Sequence, residues 1–418
     1  LRRSNRELKD LFASFWMPYQ HGLDLAASTV QSVVRPEEAE SMGLRTIGED
    51  GDRDDEVVIE LPPWWRRHPW LSCVLGLFVA ALVAGRSVVG SPLTSEVLPP
   101  AASSTSQWWD LLFERTHLVG LGSADQAPAY VNILSVLGVP LWFAPGLLTW
   151  LLIVLAVPAA ALTAHRFGRL ISDDRGARMT WAVSYGLLVV VTGAASGGYL
   201  GTIIALVLLP LFANILLRLV LEPTWPPAIT VGLLIAVVSA FAPVAWPLAM
   251  VTLALCAYVA RPAARQLAVS AVIGTALLGP WLFDRVLSRR IWWEAGNPVD
   301  APATALQVAG GSGGTIGAAS VWIAIPLIVL AVAALVPAPT RRAVTVAWIV
   351  AVGGLVVGLT ASVSTFAPYP GAPQVRAWAG LGAGIWLAGL MTAVLFAWPM
   401  LRTRKYRQWA KPAVALLV

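Results

Sequence analysis

From about residue 70 onward the chain alternates long apolar runs with short polar breaks, and the runs are not amphipathic. They stay apolar on every side, as expected of helices that lie in lipid or at the centre of a bundle. A bilayer core needs about 20 apolar residues per helical crossing. By that measure residues 70–89, 146–165, 179–196, 198–219, 228–245, 246–260, 266–283, 319–336, 343–361 and 376–400 are read as ten crossings. Some are short, such as 246–260, and Pro243 and Pro247 blur the boundary between neighbours. The expected fold is an all-α polytopic membrane protein.

Residues 129–144 are also apolar, but the distribution of cations argues against an eleventh crossing. If this segment does not cross, Arg66 and Arg67, Arg166, Arg169, Arg175 and Arg178, Arg218, Arg261 and Arg265, Arg341 and Arg342, and the cluster from Arg402 to Lys411 all fall on one side. Basic loops mark the cytoplasmic face. Residues 129–144 are therefore read as a short helix in the outer leaflet. Both ends of the chain are then cytoplasmic, in a plasma membrane, and polar loops 90–128, 284–318 and 362–375 lie outside.

Ahead of the first run the pattern changes. Residues 1–34 carry helical spacing (Leu8, Leu11, Phe12, Phe15), Pro36 ends it, and residues 37–60 form an acidic stretch that reads as a solvated linker. Trp64, Trp65, Arg66, Arg67 and Trp70 then suit the headgroup layer. Two domains follow: a cytoplasmic helical connector over 1–63 and a multi-span domain over 64–418. The chain opens without Met and stops inside a fresh apolar run, so it is read as a piece of a longer protein.

Composition sharpens this picture. Charged residues make up 12% of the 418, against roughly a quarter in soluble domains, and mean hydropathy is +0.71. Residues 1–63 hold seven Lys and Arg against thirteen Asp and Glu; the remainder holds 22 against 10. The basic excess thus belongs to the membrane part, where it serves topology and lipid headgroups, and nucleic acid is not an expected partner. Cys73 and Cys256 both lie within apolar runs, too far apart in pattern for a metal site. Charges within the runs are few, with Asn132 and Asn214 the main polar interruptions, which weakens the case for an ion-coupled transporter, whose relays need buried carboxylates.

Candidate chemistry gathers in the outer loops. Asp110 and Glu114 stand four residues apart and share a face if that stretch is helical. Either carboxylate can act as a general base towards an acceptor hydroxyl or help hold a divalent cation on a lipid pyrophosphate, and His117 can relay a proton. A solvated juxtamembrane turn is the plain alternative. Trp109, Trp292 and Trp293, with Asp125, Arg289 and Arg290, are the substrate-binding candidates, since tryptophan faces stack on sugar rings; interfacial anchoring explains the same tryptophans. The chain shows no metalloprotease helix, phosphate loop, nucleophile elbow or paired-cysteine spacing, no cofactor is expected beyond that cation, and the glycine patches 193–201 and 310–314 read as turns.

The succession LPPAASSTSQWW, THLVGLGSADQAPAYVNILSVLG, VPAAALTAH and TGAASGGYLGT, over residues 62–215, resembles the membrane portion of the large family 2 glycosyltransferases of actinobacteria. The matching positions are Trp109, His117, Gly122, Ser123, Pro128, Gly193, Gly198 and Gly201. The resemblance implies a cytoplasmic nucleotide-sugar domain of the GT-A type upstream, with its Asp-x-Asp metal site outside this chain, and a role in cell-envelope glycan or glycolipid synthesis. It further implies a GT-C-like membrane architecture, with a lipid-linked sugar as donor or acceptor and membrane lipids as surroundings. A GT-C transferase working on the outer face, with Asp110 near the position of its acidic residue, and a non-enzymatic transporter or scaffold for lipid-linked glycans remain as alternatives.

Overall fold

The computed structural model describes residues 69–84, 104–113, 127–288, 290–295, 302–314, 322, 324–367 and 373–401. All belong to the unit Trp65–Val418. The expectations for the connector and acidic linker fall outside these residues, as do those for Glu114, His117, Asp125 and Arg289.

The apolar runs become helices. In chain order they are α1 (Pro69–Ala84), α2 (Ser106–Phe113), α3 (Ala129–Gly138), α4 (Pro145–Val154), α5 (Ala156–Ile171), α6 (Arg175–Gly186), α7 (Leu188–Val191), α8 (Ala194–Gly197), α9 (Leu200–Leu221), α10 (Trp225–Phe241), α11 (Ala245–Val259), α12 (Ala264–Leu287), α13 (Ala305–Ala309), α14 (Ala324–Ala333), α15 (Arg341–Val363) and α16 (Gly380–Leu401). The one sheet among the described residues is a two-residue antiparallel pair, β1 (Thr365–Phe366) and β2 (Val375–Arg376), with Thr365 opposite Arg376. Five helical stretches are long and apolar enough to cross a membrane, at 175–197, 200–221, 261–287, 338–363 and 380–401, and the pair 129–141 and 145–154 would add a sixth if taken as one bent span. This is a multi-pass, all-α membrane protein.

Ten crossings are more than these lengths support. Helices α10 and α11 are apolar but only 17 and 15 residues long. At 1.5 Å per residue they fall short of a bilayer core of about 30 Å. Proline sets some of these limits: Pro226 and Pro227 open α10 in its first turn, where no intrahelical N–H is needed, and Pro243 follows its end. The expected helix over 129–144 forms as α3 with a 3-10 turn over Val139–Leu141, and it bends by 106° relative to α4. It does not continue the line of its neighbour.

Small residues set the packing. At the α15–α16 contact, a Cβ on Gly382 would lie 2.5 Å from Gly358 Cα and 2.7 Å from Gly354 O; one on Gly389 would lie 2.7 Å from Ala351 N. The α10–α12 contact repeats this at Gly232 and Gly274, where Ser270 Oγ also donates to Ala228 O at 2.8 Å. Such close approach replaces the hydrophobic driving force that helices lose inside lipid. Helix α16 is the most enclosed, 72% buried over its apolar window against 28–50% for the other four long stretches.

The bundle has a basic end and a polar, aromatic end. At the first, Trp398 Nε1 donates to Asp174 Oδ2 at 3.3 Å, Asp174 Oδ1 caps α6 by accepting from Ala177 N, and Arg265 lies over the Trp225 ring at 5.3 Å. At the second, the glycine break between α7 and α9 meets the loops that follow α12 and α15.

Candidate functional site

Helix continuity fails between α7 and α9 because Gly193 and Gly198 both take left-handed backbone (φ 82° and 71°), a conformation open to glycine at little cost. The break frees backbone groups that a continuous helix would satisfy, and they find partners far along the chain. Gly201 N donates to Ala295 O at 3.0 Å, Ala295 N to Phe241 O at 2.8 Å, and Gly313 N to Thr192 O at 3.0 Å. The resemblance had singled out Gly193, Gly198 and Gly201 without a role; the structure gives them one, as the joint where this end is assembled.

One acid sits at that joint. The backbone N–H of Thr202, in the first turn of α9, donates to a carboxyl oxygen of Glu294, and the Thr202 hydroxyl adds a second hydrogen bond. The Thr202 hydroxyl in turn accepts from Trp378 Nε1 at 2.9 Å. Trp378 stacks on Tyr199 with ring centres 3.8 Å apart and planes 5° from parallel. Gly201 makes the approach possible, since a Cβ there would lie 2.7 Å from Phe241 O and against the Glu294 side chain. A carboxyl group at a helix N-terminus meets free N–H groups and the positive end of the helix dipole.

Glu294 as a residue keeps partial exposure, yet its carboxyl group is enclosed. Desolvation pushes its pKa up to about 8 and outweighs the two Thr202 hydrogen bonds, which act the other way. Glu294 is thus a carboxylic acid poised near neutral pH, the condition for donating or accepting a proton there.

Arg285 at the end of α12 is buried, with its guanidinium over the rings of Trp281 at 5.5 Å and Trp293 at 5.4 Å. Trp293 also stacks on Tyr130 of α3 at 5.6 Å, and Tyr130 meets Phe241 at 5.6 Å. The bent helix α3 is therefore fastened to this same end.

Of the residues expected from sequence, Trp293 is buried within the ring cluster, whereas Trp292 and Arg290 beside it stay half-buried. Asp110 is exposed on α2, and Trp109 is half-buried and stacked on Phe113 at 6.4 Å. Helix α2 rests on α3 through Trp108 and through Thr105 Oγ1, which donates to Gly138 O at 3.1 Å. Among the described residues no three His, Cys, Asp or Glu side chains gather as a group that could hold a metal ion. Glu294, Tyr199 and Trp378 carry the centre of the site, although the sequence reading includes Glu294 only as part of a loop. A lone acid directly after a tryptophan pair, in a chain with so few acids past residue 63, is the signal that marks it.

Replacing Trp378 with phenylalanine preserves the ring on Tyr199 and removes the N–H to Thr202. The expected cost is about 1 kcal/mol, read as a lowered unfolding temperature in detergent, with wild-type oligomer profile retained. A cost near zero would show that the Trp378–Thr202 bond is immaterial to this end.

In comparisons with protein families, with curated proteins and with solved structures, this chain matches none of them.

Proposed function

We propose that this chain is the membrane module of a glycosyltransferase of cell-envelope glycan or glycolipid synthesis, and that its polar end handles a lipid-linked sugar. Glu294 carries the reading. An enclosed carboxyl group with its pKa pushed up to about 8, and half-buried Trp292 and Arg290 in the same short loop, would supply what a sugar hydroxyl and a phosphate need: a proton acceptor, an apolar ring face and a cation. Trp293, Tyr199 and Trp378 stand behind it as packing that fixes its position. The resemblance over residues 62–215 supplies the class of reaction.

In this reading the basic end faces the cytoplasm, where an upstream nucleotide-sugar domain would act, and the polar end faces outward, with both ends of the chain on the cytoplasmic side. Ten crossings then require the short helices to cross a locally thinned bilayer or to extend into neighbouring residues. The bend of 106° before α4 supports α3 as an outer-leaflet helix, as the cation distribution requires. A GT-C transferase is the second reading; it is favoured by the exposure of Asp110 on a short helix braced against α3.

The test is sugar transfer to a polyprenyl-phosphate acceptor in membranes carrying the full-length protein, as a function of pH. Glu294→Gln is expected to lower transfer at least tenfold and to abolish a rise through about pH 8, at normal protein level. Loss in Asp110→Asn with Glu294→Gln unaffected would move the chemistry to α2 and the GT-C reading. Unchanged transfer in both would leave the module as an anchor or conduit for a cytoplasmic active site.

A further inference from the structure

At the basic end, α1, α5 and α6 form a half-open, shallow groove between them. Its walls are apolar, with Cys73 and Leu77 from α1, Leu162 from α5, and Met179 and Val183 from α6; His165 closes it on the α5 side. The rim is cationic. Arg169 lies one turn beyond His165 on the same helix face, and the charges of Arg178, Arg169 and Arg175 all bear on the His165 ring.

The two acids of the same turn do not cancel this rim. Asp174 is engaged in capping α6 and in accepting from Trp398, and Asp173 is exposed. Arg178 donates through one terminal nitrogen to the backbone oxygens of Ser172 and Asp173, at 3.0 and 3.3 Å. Its Nε–H is enclosed and has no hydrogen-bond partner among the described residues.

We propose that this groove is a binding site for one anionic phospholipid of the bilayer, whose acyl chain lies along the apolar face formed by α1, α5 and α6 and whose phosphate meets Arg169, Arg175 and Arg178. Charge complementarity selects the occupant: an apolar groove rimmed by cations at a helix end matches a phosphate attached to a hydrocarbon chain, and a net-neutral headgroup gains less from it. The site lies at the opposite end of the bundle from Glu294 and stands or falls independently of the proposed sugar chemistry.

Cys73 lines the groove and reports on its occupancy. In a Cys256→Ser background, the full-length protein in nanodiscs of phosphatidylcholine is compared with the same protein in phosphatidylcholine containing phosphatidylglycerol. Phosphatidylglycerol is expected to slow maleimide alkylation of Cys73 at least threefold, and native mass spectrometry to retain one phosphatidylglycerol per chain. The double variant Arg169→Gln/Arg178→Gln should lose both effects. Arg169→Gln alone, at an exposed position that does not threaten folding, should weaken them, while Arg341→Gln, whose cation binds its own turn, should leave them intact. Equal alkylation in the two lipids, protection that persists in the arginine variants, or ready displacement of phosphatidylglycerol by an equimolar polyprenyl phosphate would overturn the assignment.

Discussion

Gly382→Ala is expected to loosen the α15–α16 pair and to cost about 3 kcal/mol, because the added methyl meets backbone and not a side chain that could turn aside. Its nearest neighbours would be Gly358 N and Cα and Gly354 O. The two helices would have to separate, and α16 is the most enclosed of the long helices. Gly353→Ala makes the control, since it lies in the same helix pair with open space at its Cβ. There alanine should leave stability unchanged or raise it slightly through helix propensity. Thermal unfolding in detergent, followed by loss of the monodisperse peak, measures both. Equal behaviour of the two variants would show that the close approach at Gly382 contributes nothing to stability.

Glu294 gives the second large effect, and its sign is fixed by the direction of its shift. Its pKa in the folded protein stands near 8, above the ordinary carboxyl value, so between those values the folded state holds a proton that the unfolded state releases. Stability from this group is complete below about pH 4.5 and is lost as the pH rises through about 8. One pKa unit corresponds to about 1.4 kcal/mol, and partial exposure of the residue reduces what the full shift would imply, leaving a loss of about 2 kcal/mol. Unfolding temperatures taken across this range should fall with pH for the parent protein and stay flatter for Glu294→Gln, which cannot ionise. Parallel curves would mean that the Glu294 carboxyl group is solvated and that its place at the α9 N-terminus contributes nothing to the pH response.

What the sequence reveals and what it hides follow from range. Unbroken apolar runs such as those that become α9, α15 and α16 are local, and their helices match the expected boundaries to within a few residues. The separate helix over 129–144 is legible too: it forms as α3 and is set off from α4 by a bend of 106°. The site is different. Thr202 and Glu294 are 92 residues apart, and Thr202 and Trp378 are 176 apart. No periodicity connects them, because the partnership is made by a glycine break whose backbone groups need loops from elsewhere. Of the residues that spacing did draw together, Asp110, Glu114 and His117, Asp110 alone lies among the described residues.

The same distances set an order of synthesis. A ribosome adds about 5–20 residues per second, so the N-terminus of α9 waits roughly 5–18 s for Glu294 and roughly 9–35 s for Trp378. During that interval α9 and the helices before it are already made, but the joint at Gly193–Gly201 has no acid, no Ala295 carbonyl and no Trp378 ring to close on. A nascent chain halted before Ala295 would present an open N-terminal turn of α9 at the polar end, where any component of the insertion machinery able to cap it would find it.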